Sequence, residues 1–131
     1  MKSLIIIMTA FMLTSASCEK NNEAVIKGNN EEGVIKGKLV YRSCASTVVQ
    51  VLNTAFYSIA QNEWKQSPSR PTYEHVFAVS NPCSFPNYTE GQEFTFQIIT
   101  NDPKNADCVV CMMFDNPPTR QNMIRVLNKA N

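Results

Sequence analysis

The sequence predicts an all-β fold: a small antiparallel β-barrel of about six strands with one partly helical excursion. A two-layer β-sandwich is the alternative arrangement. Three observations predict this class. Phe94, Phe96 and Ile98 alternate with Glu93, Thr95 and Gln97, a period of two. Short β-branched and aromatic runs recur between residues 33 and 128, separated by turn-forming residues. The chain also has five cysteines, four of them in this span, which suits a small domain held by disulfides.

The chain opens with the three-part pattern of a secretory signal. Lys2 gives a positive start, Leu4 to Leu13 is an almost unbroken apolar run, and Ser15-Ala16-Ser17 brings small residues up to Cys18. The apolar run falls short of the roughly 20 residues a membrane-spanning helix needs. Residues 1–17 are therefore expected to be a removed export signal. A cysteine directly after the small residues is the bacterial lipobox arrangement, so Cys18 is expected to carry the lipid. Ser15 stands where a standard lipobox has leucine. Ordinary signal cleavage, which wants small residues at Ser17 and Ser15, would cut the same bond. Lipidation of Cys18 explains the odd thiol and leaves an even number of cysteines.

Removal of the signal leaves roughly 114 residues, enough for one domain with a modest core. It also removes Lys2, which brings the charge from +1 to near zero. With no basic patch, nucleic acid is not an expected partner.

Residues 18–32 read as a lipidated N-terminus and tether. Asn, Glu, Lys and Gly dominate, and such a composition cannot bury a core. A flexible segment of this length reaches roughly 20 Å. Val25-Ile26-Lys27-Gly28 recurs as Val34-Ile35-Lys36-Gly37. This is either a duplicated linker or a hairpin turning at Asn29-Asn30.

Residues 33–128 form the expected β-domain. Val34 to Cys44 alternates, with Ile35, Leu39 and Tyr41 on one face, and Gly37 marks a bend or bulge. Thr47 to Leu52 continues the sheet. From Asn53 to Thr72 the chain makes its excursion. Ala55, Phe56, Ile59, Ala60 and Trp64 fall at helical spacing, and Pro68 and Pro71 end any helix. Val76 to Val79 is a third strand, led in by Tyr73 and His75. Gly91 is the turn before the alternating strand at 93–98. Cys108 to Phe114 is apolar on both faces and is expected to be a strand buried on both sides. Met123 to Leu127 is the last strand, with Ile124 and Val126 on one face.

Four cysteines, Cys44, Cys83, Cys108 and Cys111, remain to be paired, in one of three ways. Cys108-Val109-Val110-Cys111 is a C-x-x-C, which raises redox and zinc chemistry. A thioredoxin-type site needs its first cysteine at a helix N-terminus, and a zinc site usually has two close ligand pairs. This run reads as strand and supplies one close pair. Residues three apart on a strand face opposite sides, so a Cys108–Cys111 bond is not expected. Cys44–Cys108 with Cys83–Cys111 is the favoured pairing, ahead of Cys44–Cys111 with Cys83–Cys108. No metal or other cofactor is expected.

His75 is the sole histidine and is expected to pack or face solvent; a general base would need a nucleophile and an orienting carboxylate nearby. No G-x-S-x-G is present. Asp102, Asp107 and Asp115 read as turn residues near prolines. Tyr73, Phe85 and Tyr88 are candidates for an aromatic contact patch, although anchoring of loops to the core explains them more simply.

Tyr41-Arg42-Ser43-Cys44, Val48 to Leu52, Val76 to Val79, Asn81-Pro82, Phe85-Pro86, Gly91 before Phe94-Thr95-Phe96, and Asp107 to Cys111 together resemble small exported lipoproteins of Bacteroidota that carry a C-x-x-C in a β-domain. The resemblance implies an OB-like barrel. It implies no activity and transfers no functional residue. The expectation is a non-enzymatic module on the outer membrane, on its periplasmic face or at the cell surface. It would be attached to the membrane through its lipid, monomeric, and a binder of a protein or glycan. The alternative is an exported inhibitor of a hydrolase such as lysozyme.

Overall fold

The computed structural model of the 131-residue chain describes residues 33–129. Cys18, the signal, the tether and the first copy of the Val-Ile-Lys-Gly repeat lie outside the described residues.

Seven strands join one sheet: β1 Ile35–Arg42, β2 Thr47–Val51, β3 Gln61–Trp64, β4 Tyr73–Val79, β5 Glu93–Ile98, β6 Gln121–Asn122 and β7 Ile124–Lys129. Their order is β3-β4-β2-β1-β5-β7, and β6 pairs with β4. Every pairing is antiparallel except β4 with β6. The expected all-β class is therefore observed.

The sheet is covered on both faces where β1, β2 and β4 meet. Val48 and Val49 are adjacent, so they point to opposite faces, and both are fully buried. Val49 joins the main core with Ile35, Leu39, Phe77, Phe94 and Phe96. Val48 joins a second cluster with Val40, Tyr41, Trp64 and Val76. In the main core the rings of Phe77 and Phe96 are 5.7 Å apart, and those of Phe94 and Phe96 5.8 Å.

Strand β1 serves both clusters because its register shifts between Leu39 and Tyr41. Leu39 pairs with Val49 and Tyr41 with Val48, so Val40 is the extra residue of a bulge. Tyr41 consequently leaves the face of Ile35 and Leu39 on which alternation put it. The bulge lies at Val40 and not at Gly37. Gly37 answers a different need: a Cβ there would sit 2.7 Å from Phe96 Cε1 and 2.9 Å from Val49 Cγ1. Gly91 is the expected turn residue, with φ +93° and its N–H donated to the Leu39 carbonyl at 2.7 Å.

The expected helix is replaced by two elements. Thr54–Ile59 is a 3-10 helix, and Gln61–Trp64 is strand β3. Asn53 does not cap the helix with its side chain; its Oδ1 accepts the Lys36 N–H at 2.6 Å instead. Trp64 is buried in the second cluster, from strand β3 instead of from a helix face.

Strand β7 begins one residue later than expected and runs further. Its start is set by Asn81, which is 1% exposed. The Asn81 amide group donates to the Ile124 carbonyl at 2.8 Å, and its Oδ1 accepts the Ile124 N–H at 3.0 Å. Ile124 and Val126 share the main core, as their spacing predicts.

The expected strand over 108–114 does not form. The chain there is irregular and its large apolar side chains face solvent. Among the described residues no helix is long and apolar enough to cross a membrane.

Candidate interaction loop

Between β5 and β6 the chain leaves the sheet for 22 residues, 99–120. Its first part is a 3-10 turn, Pro103–Asn105. Asp102 opens that turn, accepting the Lys104 N–H at 3.1 Å and the Asn81 amide at 2.7 Å. This is the turn role its sequence context suggested.

Two disulfides then fix the segment. Cys83 bonds Cys108, and Cys44 bonds Cys111, each with Cα atoms 5.6 Å apart. The favoured pairing of Cys44 with Cys108 and Cys83 with Cys111 is thus overturned. Local contacts explain why. Cys83 lies in the 3-10 turn Pro82–Ser84, which packs beside Pro103–Asn105. Cys108 follows that second turn directly and donates its N–H to the Asn105 carbonyl at 3.1 Å. Cys111 lies beside the β1–β2 turn, with its N–H 3.4 Å from the Cys44 carbonyl. Cys108 and Cys111 are not bonded to each other, in keeping with the sequence reading. Both sulfurs of the C-x-x-C are occupied, so neither is a thiol able to start exchange or to bind zinc.

Past Cys111 the anchor is polar. Asp115 accepts the Ser43 hydroxyl at 2.7 Å and the Tyr41 hydroxyl at 3.1 Å. The Asn116 carbonyl accepts the Trp64 indole N–H at 2.7 Å, and its amide group donates to the Lys65 carbonyl at 3.1 Å. Pro118 is fully buried. Asp115 is therefore a structural anchor and more than a turn residue.

Partial burial raises the Asp115 pKa. The Ser43 and Ser46 hydroxyls and the Asn116 N–H outweigh that, and the carboxyl lies below its ordinary range. At neutral pH it is ionised. Burial, together with the bond to Asp115, raises the Tyr41 pKa and keeps that hydroxyl a donor.

Between these anchors the side chains alternate. Cys111 turns in to its disulfide and Asp115 to its hydrogen bonds. Met112 and Phe114 are fully exposed, at 104% and 100%, and Met113 is half so. Val109 is exposed as well, at 88%. Among the described residues, the backbones of Met112, Met113 and Phe114 take part in no hydrogen bond. Behind the loop lies a hollow of about 280 Å³, with Ala45, Ser46, Ala78, Cys108, Val110 and Pro117 in its walls.

The other candidates lie elsewhere. Phe85 and Tyr88 pack on Phe94, with ring centroids 5.4 and 5.7 Å from it. Tyr73 stacks on Trp64 in the second cluster. The three do not form one patch: Phe85 and Tyr88 anchor the β4–β5 connection to the core, and Tyr73 is the first residue of β4. His75 stacks on Tyr57 at 3.5 Å, with φ +53°.

The sequence hides the apolar crest because Cys108 to Phe114 has the composition of a strand buried on both sides. The flanks carried the signal: Asp107 before it and Asp115-Asn116-Pro117-Pro118 after it are loop chemistry.

The fold and this loop define a disulfide-tied all-β domain that displays an extended apolar segment. No family model, curated protein or solved structure matches the chain.

Proposed function

We propose that the chain is a non-enzymatic, lipid-anchored envelope protein that binds a protein partner through the loop Cys108–Asn116. The observation that carries this reading is the full exposure of Met112 and Phe114 on a segment held by covalent and polar anchors. Exposed apolar patches on soluble domains mark contact sites, and methionine and aromatic residues are enriched where proteins meet. The outward side chains of Val109, Met112 and Phe114 carry no oxygen or nitrogen with which to bind a glycan. The lipobox at Cys18 and the tether behind it supply the membrane attachment and the reach.

The strand pairings support the finer reading of the sheet as an OB-like barrel. Met123 alone separates β6 from β7, so one short segment pairs with β4 at its start and with β5 at its end. In OB-folds the loop between the first two strands is one of those that contact ligands, and here Cys44–Cys111 ties the β1–β2 loop to the exposed segment.

A photo-crosslinking residue at position 114 of the full-length protein in cells tests the reading. A discrete protein adduct is expected there, lost on Met112→Asp and absent from the same probe at position 129. Lipid adducts alone, or none, would overturn it. In parallel, Cys18→Ser is expected to move the protein from the membrane to the soluble fraction.

A further inference from the structure

We propose that residues 111–115 form a substrate-like inhibitory loop for an endopeptidase outside the cytoplasm whose cleft accepts large apolar side chains. The inference rests on the loop being a protein-docking element, and it names the class of partner.

Shape is the first argument. Met112 and Phe114 project fully into solvent, so the complementary surface is concave. Cys111 and Asp115 point inward and Met112 and Phe114 outward, which is the alternation of an extended chain. The backbone between the anchors is unpaired. An extended segment with unpaired amides and alternate side chains outward is what a strand-adding cleft takes up: main-chain bonds give affinity and pockets read every second side chain. Both ends of the segment continue into the domain, so a pocket for a chain terminus cannot be the partner.

Anchoring is the second argument. The Met112–Met113 and Met113–Phe114 peptide bonds lie between the Cys111 disulfide and the hydrogen bonds of Asp115 and Asn116. Hydrolysis of either bond would add one water and give a carboxylate and an ammonium group. Both new ends would remain tied to the domain on either side of the cut. A cut loop would not diffuse away as an ordinary product does. Fixing the extended form before contact also removes most of the ordering cost of binding.

Side-chain chemistry is the third. Residues 105–119 contain no Lys or Arg, so a protease pocket that reads a basic side chain finds nothing here. Asp107 is exposed beside the crest, and with no basic residue in the loop an anionic lipid surface is disfavoured. A saccharide-reading cleft, such as that of lysozyme, would meet side chains without polar groups.

The test uses the oxidised mature protein against chymotrypsin and subtilisin, which read large apolar side chains, with trypsin as the internal control. Competitive inhibition of at least one of the first two is expected, with trypsin unaffected. The double variant Met112→Asp with Phe114→Asp should weaken inhibition at least about tenfold, as loss of a central apolar anchor does, and leave the melting temperature unchanged. Rapid loop cleavage without inhibition, or inhibition that survives the double variant, overturns the inference. If inhibition is absent but the position-114 adduct still forms, docking stands and the protease assignment falls. Flotation of the unlipidated chain with phosphatidylglycerol vesicles, lost in the double variant, overturns both.

Discussion

Replacing Cys44 and Cys111 together with serine removes the outer of two nested covalent rings. The pair is separated by 67 residues, and ring-closure entropy for that length is about 4.4 kcal/mol at 25 °C. The inner bond, Cys83–Cys108, spans 25 residues and shortens the closed path to roughly 43, which lowers the expected loss to about 4 kcal/mol. Removing the inner bond instead should cost about 3.5 kcal/mol. For a domain of this size a loss of about 4 kcal/mol lowers the melting temperature by roughly 15–30 °C. The assay is urea and thermal unfolding by circular dichroism without reductant, alongside a non-reduced peptide map. The urea m-value should rise, because the freed unfolded chain exposes more surface. A loss below about 1 kcal/mol with an unchanged m-value would refute the ring argument. A map that joins Cys44 to Cys108 would refute the pairing itself.

Gly37→Ala places a methyl 2.7 Å from Phe96 Cε1 and 2.9 Å from Val49 Cγ1, both side chains being fully buried. Overpacking of this kind should cost about 1–3 kcal/mol in urea unfolding. Asp115 makes stability depend on acid. Its folded pKa is below the ordinary 3.8, so its contribution is full above that pH and is lost as pH falls through the lower folded value. The stability profile between pH 2 and 6 should show this loss, and Asp115→Asn should flatten it. Phe94→Ala should cost about 3–5 kcal/mol, because the ring is fully buried. Phe114→Ala should stay within about 0.5 kcal/mol of the parent, because its ring touches water; a large loss there would mean that the ring packs on the domain.

The parts of the fold legible in the sequence are those where one face is wet. Strand β5 is the clearest: Phe94 and Phe96 are buried and Glu93 is exposed, and only Ile98, on the face of the two phenylalanines, departs from the pattern, reaching solvent where the strand ends. Ile124 and Val126 in β7 behave the same way. Alternation fails where both faces are covered. Val48 and Val49 go to opposite clusters, Val40 and Tyr41 both join the second, and a bulge at Val40 carries no mark in the residue types. The 54–64 excursion misled for another reason. Apolar residues at helical spacing also fit a 3-10 turn followed by a strand, and the arbiter was long-range: Trp64 bonded to the Asn116 carbonyl, across 52 residues.

The site raises the sharper version of that problem. Val109-Val110-Cys111-Met112-Met113-Phe114 has the composition of a core strand, and composition alone cannot say whether such a run is buried or held in water. What decides it is the way the run is fastened. A segment whose shape came from apolar packing would have to bury Met112 and Phe114, each worth about 1.5–3 kcal/mol when taken out of water. Here Cys83–Cys108, Cys44–Cys111 and the Asp115 hydrogen bonds fix the segment without that burial. The burial energy of the crest is therefore still unspent in the isolated domain and is available to any surface that would cover it. The polar residues Ser43, Asp115 and Asn116, of which only Asp115 reads in the sequence as a turn former, are what keep those apolar side chains turned outward.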